Sequence, residues 1–186
     1  RRDLAEKFRM ALRADVILSS GGVSVGDYDL VKEVMMELGT RIKFWRIAMR
    51  PGRPLAFGTL KGKPLFGLPG NPVSSMVSFE QFVRPALRKM MGHRDLYRRT
   101  VRAALTESIT KEKGLRYFVR GRVVCENGLY TVATTGGQGS GILKSMVKAN
   151  GLIVLPEDLT EAKKGDTVTV QLFERSLENT PSPEHL

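Results

Sequence analysis

The chain has 186 residues, 41% of them hydrophobic, enough for a core in one large or two small domains and inconsistent with wholesale disorder. No apolar run reaches the length of a membrane span, the single cysteine excludes an intrachain disulfide, and Cys125, His93 and His185 lack the usual zinc spacings. A net charge of +11 points to anionic partners, but the positives are dispersed apart from Arg94, Arg98, Arg99 and Arg102, and no aromatic-interleaved motif accompanies them, which favours a small anion over nucleic acid.

The opening residues, RRDLAEKFRMALRAD, alternate charge with apolar side chains at helical spacing and read as a helix over 3–14, not as a secretory leader. A cytoplasmic compartment and no membrane association are expected. Val16–Leu18 reads as a short buried strand and is followed by the loop SSGGVSVGDYD. Leu30, Val31, Val34, Met35 and Leu38 mark a second helix, with Asp29 placed to cap it and Gly39 to end it. Phe44–Met49 is a further strand. Strand, helix and strand in this order form a βαβ unit and imply a parallel sheet covered by helices.

RPGRP, Arg50–Pro54, carries two prolines and forbids regular structure. Leu55–Thr59 and Pro64–Leu68 flank Lys61-Gly62 as a hairpin. LPGNPVS then leads into a helix that ends at Gly92, with a kink expected at Pro85. After Gly92 the texture changes to short β-type runs: Val101–Leu105, Tyr117–Cys125, Leu129–Thr134, Leu152–Leu155 and Thr167–Leu172. Asn127-Gly128 is a hairpin turn signal, and Ile142, Leu143 and Met146 hint at one short helix. The expected architecture is an α/β domain over 1–92, a small all-β, barrel-like domain over 98–174 and a tail over 175–186. Residues 1–92 offer too few parallel strands for a self-contained doubly wound sheet, so the expectation is a fragment, or another segment that supplies the missing strands.

Three segments follow strands, where open α/β sheets bind ligands. In the first, Gly21, Gly22 and Gly26 let backbone N–H groups converge on an anion, Ser20 and Ser24 add hydroxyl donors, and Asp27 and Asp29 could meet a hard cation or activate water. The plainer alternative is a βα turn with a capping Asp29. In the second, Arg50, Pro51 and Arg53 place two guanidinium groups on a stiff turn suited to phosphate or another oxyanion. In the third, Pro69 and Pro72 fix the backbone, Gly70 permits close approach, and Asn71 and Ser74 offer polar contacts beside a helix N-terminus. A fourth glycine-rich run, Gly136–Gly141, lacks the lysine of a phosphate loop and reads as a structural or interface loop rather than a ligand contact.

Taken in order, SSGGVSVGDYDLVKEV, MRPGRPLAFG, LPGNPVSSMVSF and RPALRKMMG resemble successive blocks of the molybdopterin-binding domain of the MoeA family, to which the E domain of gephyrin belongs. GGQGSGILKSMVKANGLIVLPE resembles that family's C-terminal β domain, so the likeness runs from about residue 3 to 172. The resemblance implies a partial MogA-like sheet followed by the β domain. It implies insertion of molybdenum from molybdate into adenylylated molybdopterin, with hydrolysis of the adenylate and assistance from Mg²⁺. By position, Ser20, Gly21, Gly22, Ser24 and Gly26 would line the pterin phosphate and molybdate region. Asp27 and Asp29 would be catalytic or metal-binding. Arg50, Pro51 and Arg53 would bind phosphate or oxyanion, and Pro69, Gly70, Asn71, Pro72 and Ser74 would close the pocket. The family also implies a homodimer, a molybdopterin adenylyltransferase as a partner protein, and a chain more than twice this length with a further acidic loop. The alternative is a molybdopterin-binding or scaffolding module without catalysis.

Overall fold

The structure is a computed structural model that describes residues 1–23 and 30–173. The chain divides into two compact units, Arg1–Leu96 and Tyr97–Leu186.

The first unit is a four-stranded sheet with helices on both faces. Its elements are α1 (Arg2–Ala11), β1 (Ile17–Ser20), α2 (Leu30–Glu37), β2 (Arg41–Arg46), β3 (Met49–Arg50), β4 (Pro54–Leu60) and β5 (Lys63–Leu68), then α3 (Pro72–Ser78), a π-helical turn (Phe79–Val83) and α4 (Arg84–Met90). The strand order in the sheet is β1-β5-β4-β2. The expected βαβ unit is present, since β1 and β2 point the same way, but the two strands are not neighbours. The β4–β5 hairpin lies between them, so the sheet is mixed: β1 pairs with β5 in parallel, while β4 is antiparallel to both β5 and β2. Helical periodicity predicted α2 well, but no local signal reveals which strands are neighbours.

Each face of the sheet has its own core. On one, Phe8 of α1 and Val34 and Met35 of α2 pack on Ile17, Leu60 and Leu65. On the other, Val83 packs on Leu55, Phe66 and Leu68, joined by Phe79, Phe82 and Leu87. The kink expected at Pro85 takes the form of the π-helical turn just before it. Proline lacks an N–H and its ring crowds the carbonyl four residues back, and a wider turn at that place relieves both defects.

The second unit is a small closed β-barrel. Its strands are β6 (Thr100–Leu105), β7 (Ile109–Thr110), β8 (Arg116–Glu126), β9 (Leu129–Thr134), β10 (Gly151–Leu155), β11 (Glu161–Ala162) and β12 (Thr167–Leu172), with α5 at Leu143–Val147. The ring runs β10-β12-β6-β9-β8 and closes by antiparallel pairing of β8 with β10. β7 and β11 form a separate two-stranded ribbon. The β8–β9 hairpin turns on Asn127 and Gly128, at φ +50° and +76°, the twist that two-residue hairpins require. Closure removes sheet edges and buries Val119, Val123, Val132, Ile153, Leu155 and Val170.

Candidate functional site

Strand register places the three candidate segments at one edge of the first sheet. Ser20, the last residue of β1, pairs with Leu68, the last of β5. Because β4 runs against β5, its first residue, Pro54, lies at that same edge, and Pro54 pairs with Arg46, the last residue of β2. The segments beginning at Gly21, at Ile47 and at Pro69 therefore all leave the sheet on the same side. Arg46 joins this edge with an exposed side chain. Sequence reasoning missed it; its position just before the RPGRP turn, at the end of a strand, was the available signal.

The Gly21-Gly22 segment is held tightly. The Gly21 N–H donates to Leu68 O at 2.9 Å. A Cβ at Gly70 would lie 3.5 Å from Gly21 Cα, so the first and third segments touch backbone to backbone. Gly22, at φ +67°, faces α2, where a Cβ would come within 2.3 Å of Val31 Cγ2. Only glycine meets both demands at this position. Val23 is buried and folds back over β5, filling the space above Gly67. The polar floor beneath includes Ser19, whose Oγ is buried without a hydrogen-bond partner.

The third segment enters α3 directly. Asn71 occupies the N-cap position with Pro72 following it, and the Asn71 carbonyl accepts from Ser75 N–H at 2.9 Å. Ser75 Oγ donates to Pro69 O, which fixes the turn. Gly70, Asn71 and Pro72 are exposed, whereas Pro69 and Ser74 are buried. The positive end of α3 thus opens on the sheet edge that carries the arginines.

The second segment, Arg50–Pro54, lies against α3. Arg50 and Arg53 are exposed, and Pro51 and Gly52 are buried; the Arg50–Pro51 peptide is cis. Ile47 N–H donates to Arg53 O at 3.0 Å and closes the loop. A Cβ at Gly52 would lie 3.5 Å from Ser74 O, so Ser74 contributes a contact beneath the turn. Ser20, Gly21, Gly22, Arg50, Arg53, Gly70 and Asn71 are in this way brought to one edge, built on one sheet and one helix. Ser24, Gly26, Asp27 and Asp29 lie outside the described residues.

The fourth glycine run is of another kind. Arg120 of β8 is 1% exposed; its Nε donates to Ser145 Oγ at 3.1 Å and its Nη2 to Gly139 O at 3.1 Å. Gln138 clasps the Arg120 backbone, accepting from its N–H at 2.9 Å and donating to its carbonyl at 3.2 Å. Burial pulls the Arg120 guanidinium below its ordinary pKa. Gly136–Gly141 is therefore wrapped around an internal cation.

Residues 1–89 match the family profile described as "Probable molybdopterin binding domain", and residues 102–173 match the MoeA C-terminal region, domain IV. An α/β sheet with three glycine- and proline-rich segments on one edge, followed by this barrel, defines the class. The chain belongs to the MoeA family. It is 41% identical over 167 residues to a protein named molybdopterin molybdenumtransferase 2 from Mycobacterium tuberculosis, a match covering 87% of this chain and 41% of that protein. A molybdopterin molybdenumtransferase from Haemophilus influenzae is 39% identical, with 89% and 41% covered. A solved MoeA structure from Pyrococcus horikosii aligns at TM-score 0.74 and 32% identity, covering 92% of this chain and 40% of that one. A molybdenum cofactor biosynthesis protein from Pyrococcus furiosus aligns at TM-score 0.70 and 30% identity, covering 91% and 54%. The chain thus spans about two fifths of the length of the curated relatives it matches.

Proposed function

We propose that this chain carries part of the active site of a molybdopterin molybdenumtransferase, which inserts molybdenum from molybdate into adenylylated molybdopterin and hydrolyses the adenylate. The observation that supports this most directly is the shared sheet edge: exposed residues Arg50 and Arg53 leave the sheet on the same side as the glycine-containing Gly21-Gly22 and Gly70-Asn71 segments. Hydrolysis of a phosphoanhydride builds negative charge on phosphate oxygens, and fixed guanidinium and N–H donors stabilise that charge without reorganising. Ser20, Gly21, Gly22 and Asn71 are assigned to the pterin phosphate and molybdate. Arg50 and Arg53 are assigned to the phosphate that departs, and Ser24 and Gly26 to the pterin phosphate and molybdate. The curated relatives, all named as transferases in the comparisons above, favour this reading over a scaffolding module without chemistry.

Mg²⁺ is proposed on Asp27 and Asp29, where it would neutralise phosphate charge when bound. This assignment rests on the oxygen-donor chemistry of the two acids, a fit to a hard cation. A homodimer, a molybdopterin adenylyltransferase as donor of the substrate, and a cytoplasmic location complete the proposal. No helix among the described residues is long and apolar enough to cross a membrane.

The test is equilibrium binding of molybdopterin to this chain, followed by pterin fluorescence. A hydrogen bond to a charged group contributes about 1.5–3 kcal/mol, so Arg50→Ala with Arg53→Ala should weaken binding at least tenfold while leaving the fold intact. Unchanged affinity in that double variant would remove the anion site from this edge.

A further inference from the structure

The contact between Gly52 and α3 sets where Arg50 and Arg53 stand. Gly52 is buried at φ +101°, and a Cβ there would lie 2.6 Å from Ser78 Oγ, 2.8 Å from Met49 Cε and 3.5 Å from Ser74 O. Ser74 and Ser78 are one helical turn apart and buried, at 5% and 0% exposure; Ser74 presents its carbonyl to the turn and Ser78 its hydroxyl. Met49, at 2% exposure, closes the side. The backbone of the RPGRP turn is therefore in close contact with α3 at Gly52, with one arginine two residues before the glycine and the other immediately after it. Ser78 Oγ makes no hydrogen bond, so at this contact it acts through its size.

We infer that Gly52 and Ser78 are positioning residues for the anion site: they fix the height of the turn over α3, and through it the place of the Arg50 and Arg53 guanidinium groups relative to the α3 N-terminus. This rests on the function proposed above. Thickness added on either side of the contact lifts the turn and moves both cations together. A guanidinium recognises phosphate through directed N–H groups, so a displacement of a fraction of an ångström costs affinity even though both charges remain.

The test is molybdopterin binding to the purified chain, with melting temperature and circular dichroism recorded beside it. Gly52→Ala is expected to weaken binding at least tenfold. Adding Ser78→Ala to Gly52→Ala removes the atom at 2.6 Å and is expected to recover at least threefold of that loss. Ser78→Val presses on the turn from the helix side and is expected to reproduce the weakening with glycine retained at 52, which keeps the inference testable if Gly52→Ala folds poorly. Thr40→Ala removes another buried hydroxyl without a partner, at the opposite edge of the sheet, and should bind as the parent does. Parent-like binding by both Gly52→Ala and Ser78→Val, with binding lost in the Arg50→Ala, Arg53→Ala variant, would overturn the inference and leave the proposed function standing. Parent-like binding by the double arginine variant would overturn both. A double variant, Gly52→Ala with Ser78→Ala, no better than Gly52→Ala alone would assign the effect to backbone strain at residue 52 and overturn the part given to Ser78.

Discussion

Gly21-Gly22 and Gly136–Gly141 both lie between a strand and a helix, and both are rich in glycine, yet they do opposite things. The first lies on the edge of an open sheet, its backbone pressed between α2 and the Pro69–Asn71 segment, beside exposed arginines. The second encloses its arginine: the buried Arg120 guanidinium, on the face of β8 opposite the core residues Val119 and Val123, donates to Gly139 and Ser145, while Gln138 holds the Arg120 backbone. Glycine frees a backbone to approach something closely. The location of the nearest cation decides whether that something is a ligand or the protein itself.

Three perturbations separate these regions, the largest in the barrel unit. Arg120→Ala removes two hydrogen bonds from a charged, buried donor, each contributing about 1.5–3 kcal/mol. The barrel should lose about 3 kcal/mol or more, read by urea denaturation, with hydrogen exchange showing the loss in barrel amides. Arg120→Lys should rescue little, because an ammonium lacks the fork that reaches Ser145 and Gly139 together. A loss below about 1 kcal/mol would mean that the loop does not depend on its arginine.

A smaller effect distinguishes the glycines themselves. Gly22→Ala forces a side chain into the left-handed region and against Val31 Cγ2 at 2.3 Å, and should cost about 2 kcal/mol. At Gly136, φ is +88° but a Cβ would meet nothing within 4 Å, so alanine there should cost about 1 kcal/mol, from conformation alone. Equal costs at the two sites, measured by thermal unfolding, would show that the first loop is less tightly clamped than its contacts state.

The smallest effect is a pH dependence confined to the barrel unit. The Glu157 carboxylate is held below its ordinary pKa first by its own backbone amide and then by Arg116, whose Nη2 donates to it at 3.1 Å. A depressed carboxylate contributes stability above its unfolded pKa and loses it as pH falls through the folded value. Both side chains are close to half exposed, so solvent screening leaves a contribution of about 0.3 kcal/mol. The stability difference between the parent chain and Glu157→Gln should therefore be small at pH 7 and vanish in acid. A difference that persists at low pH would assign it to packing.

Much of the fold was legible locally because its signals are local. Leu30, Val34, Met35 and Leu38 recur at helical spacing and form α2; Asn127-Gly128 turns the β8–β9 hairpin; prolines and glycines punctuate the sheet-edge segments. The ordered motif blocks were equally plain, and the family follows from them. Strand neighbours were not legible, because β1 meets β5 across 47 intervening residues of register between Ile17 and Leu65, and no spacing within β1 encodes that pairing. For the same reason the chain alone could not show that Arg46 shares an edge with Ser20 and Leu68, that Gly52 lies on Ser78, or that Arg120 is covered by its glycine-rich loop while Arg50 and Arg53 are exposed. Residue chemistry determined which groups can bind an anion. Burial and register, which are properties of contacts distant in sequence, decided which of them stand together to do so.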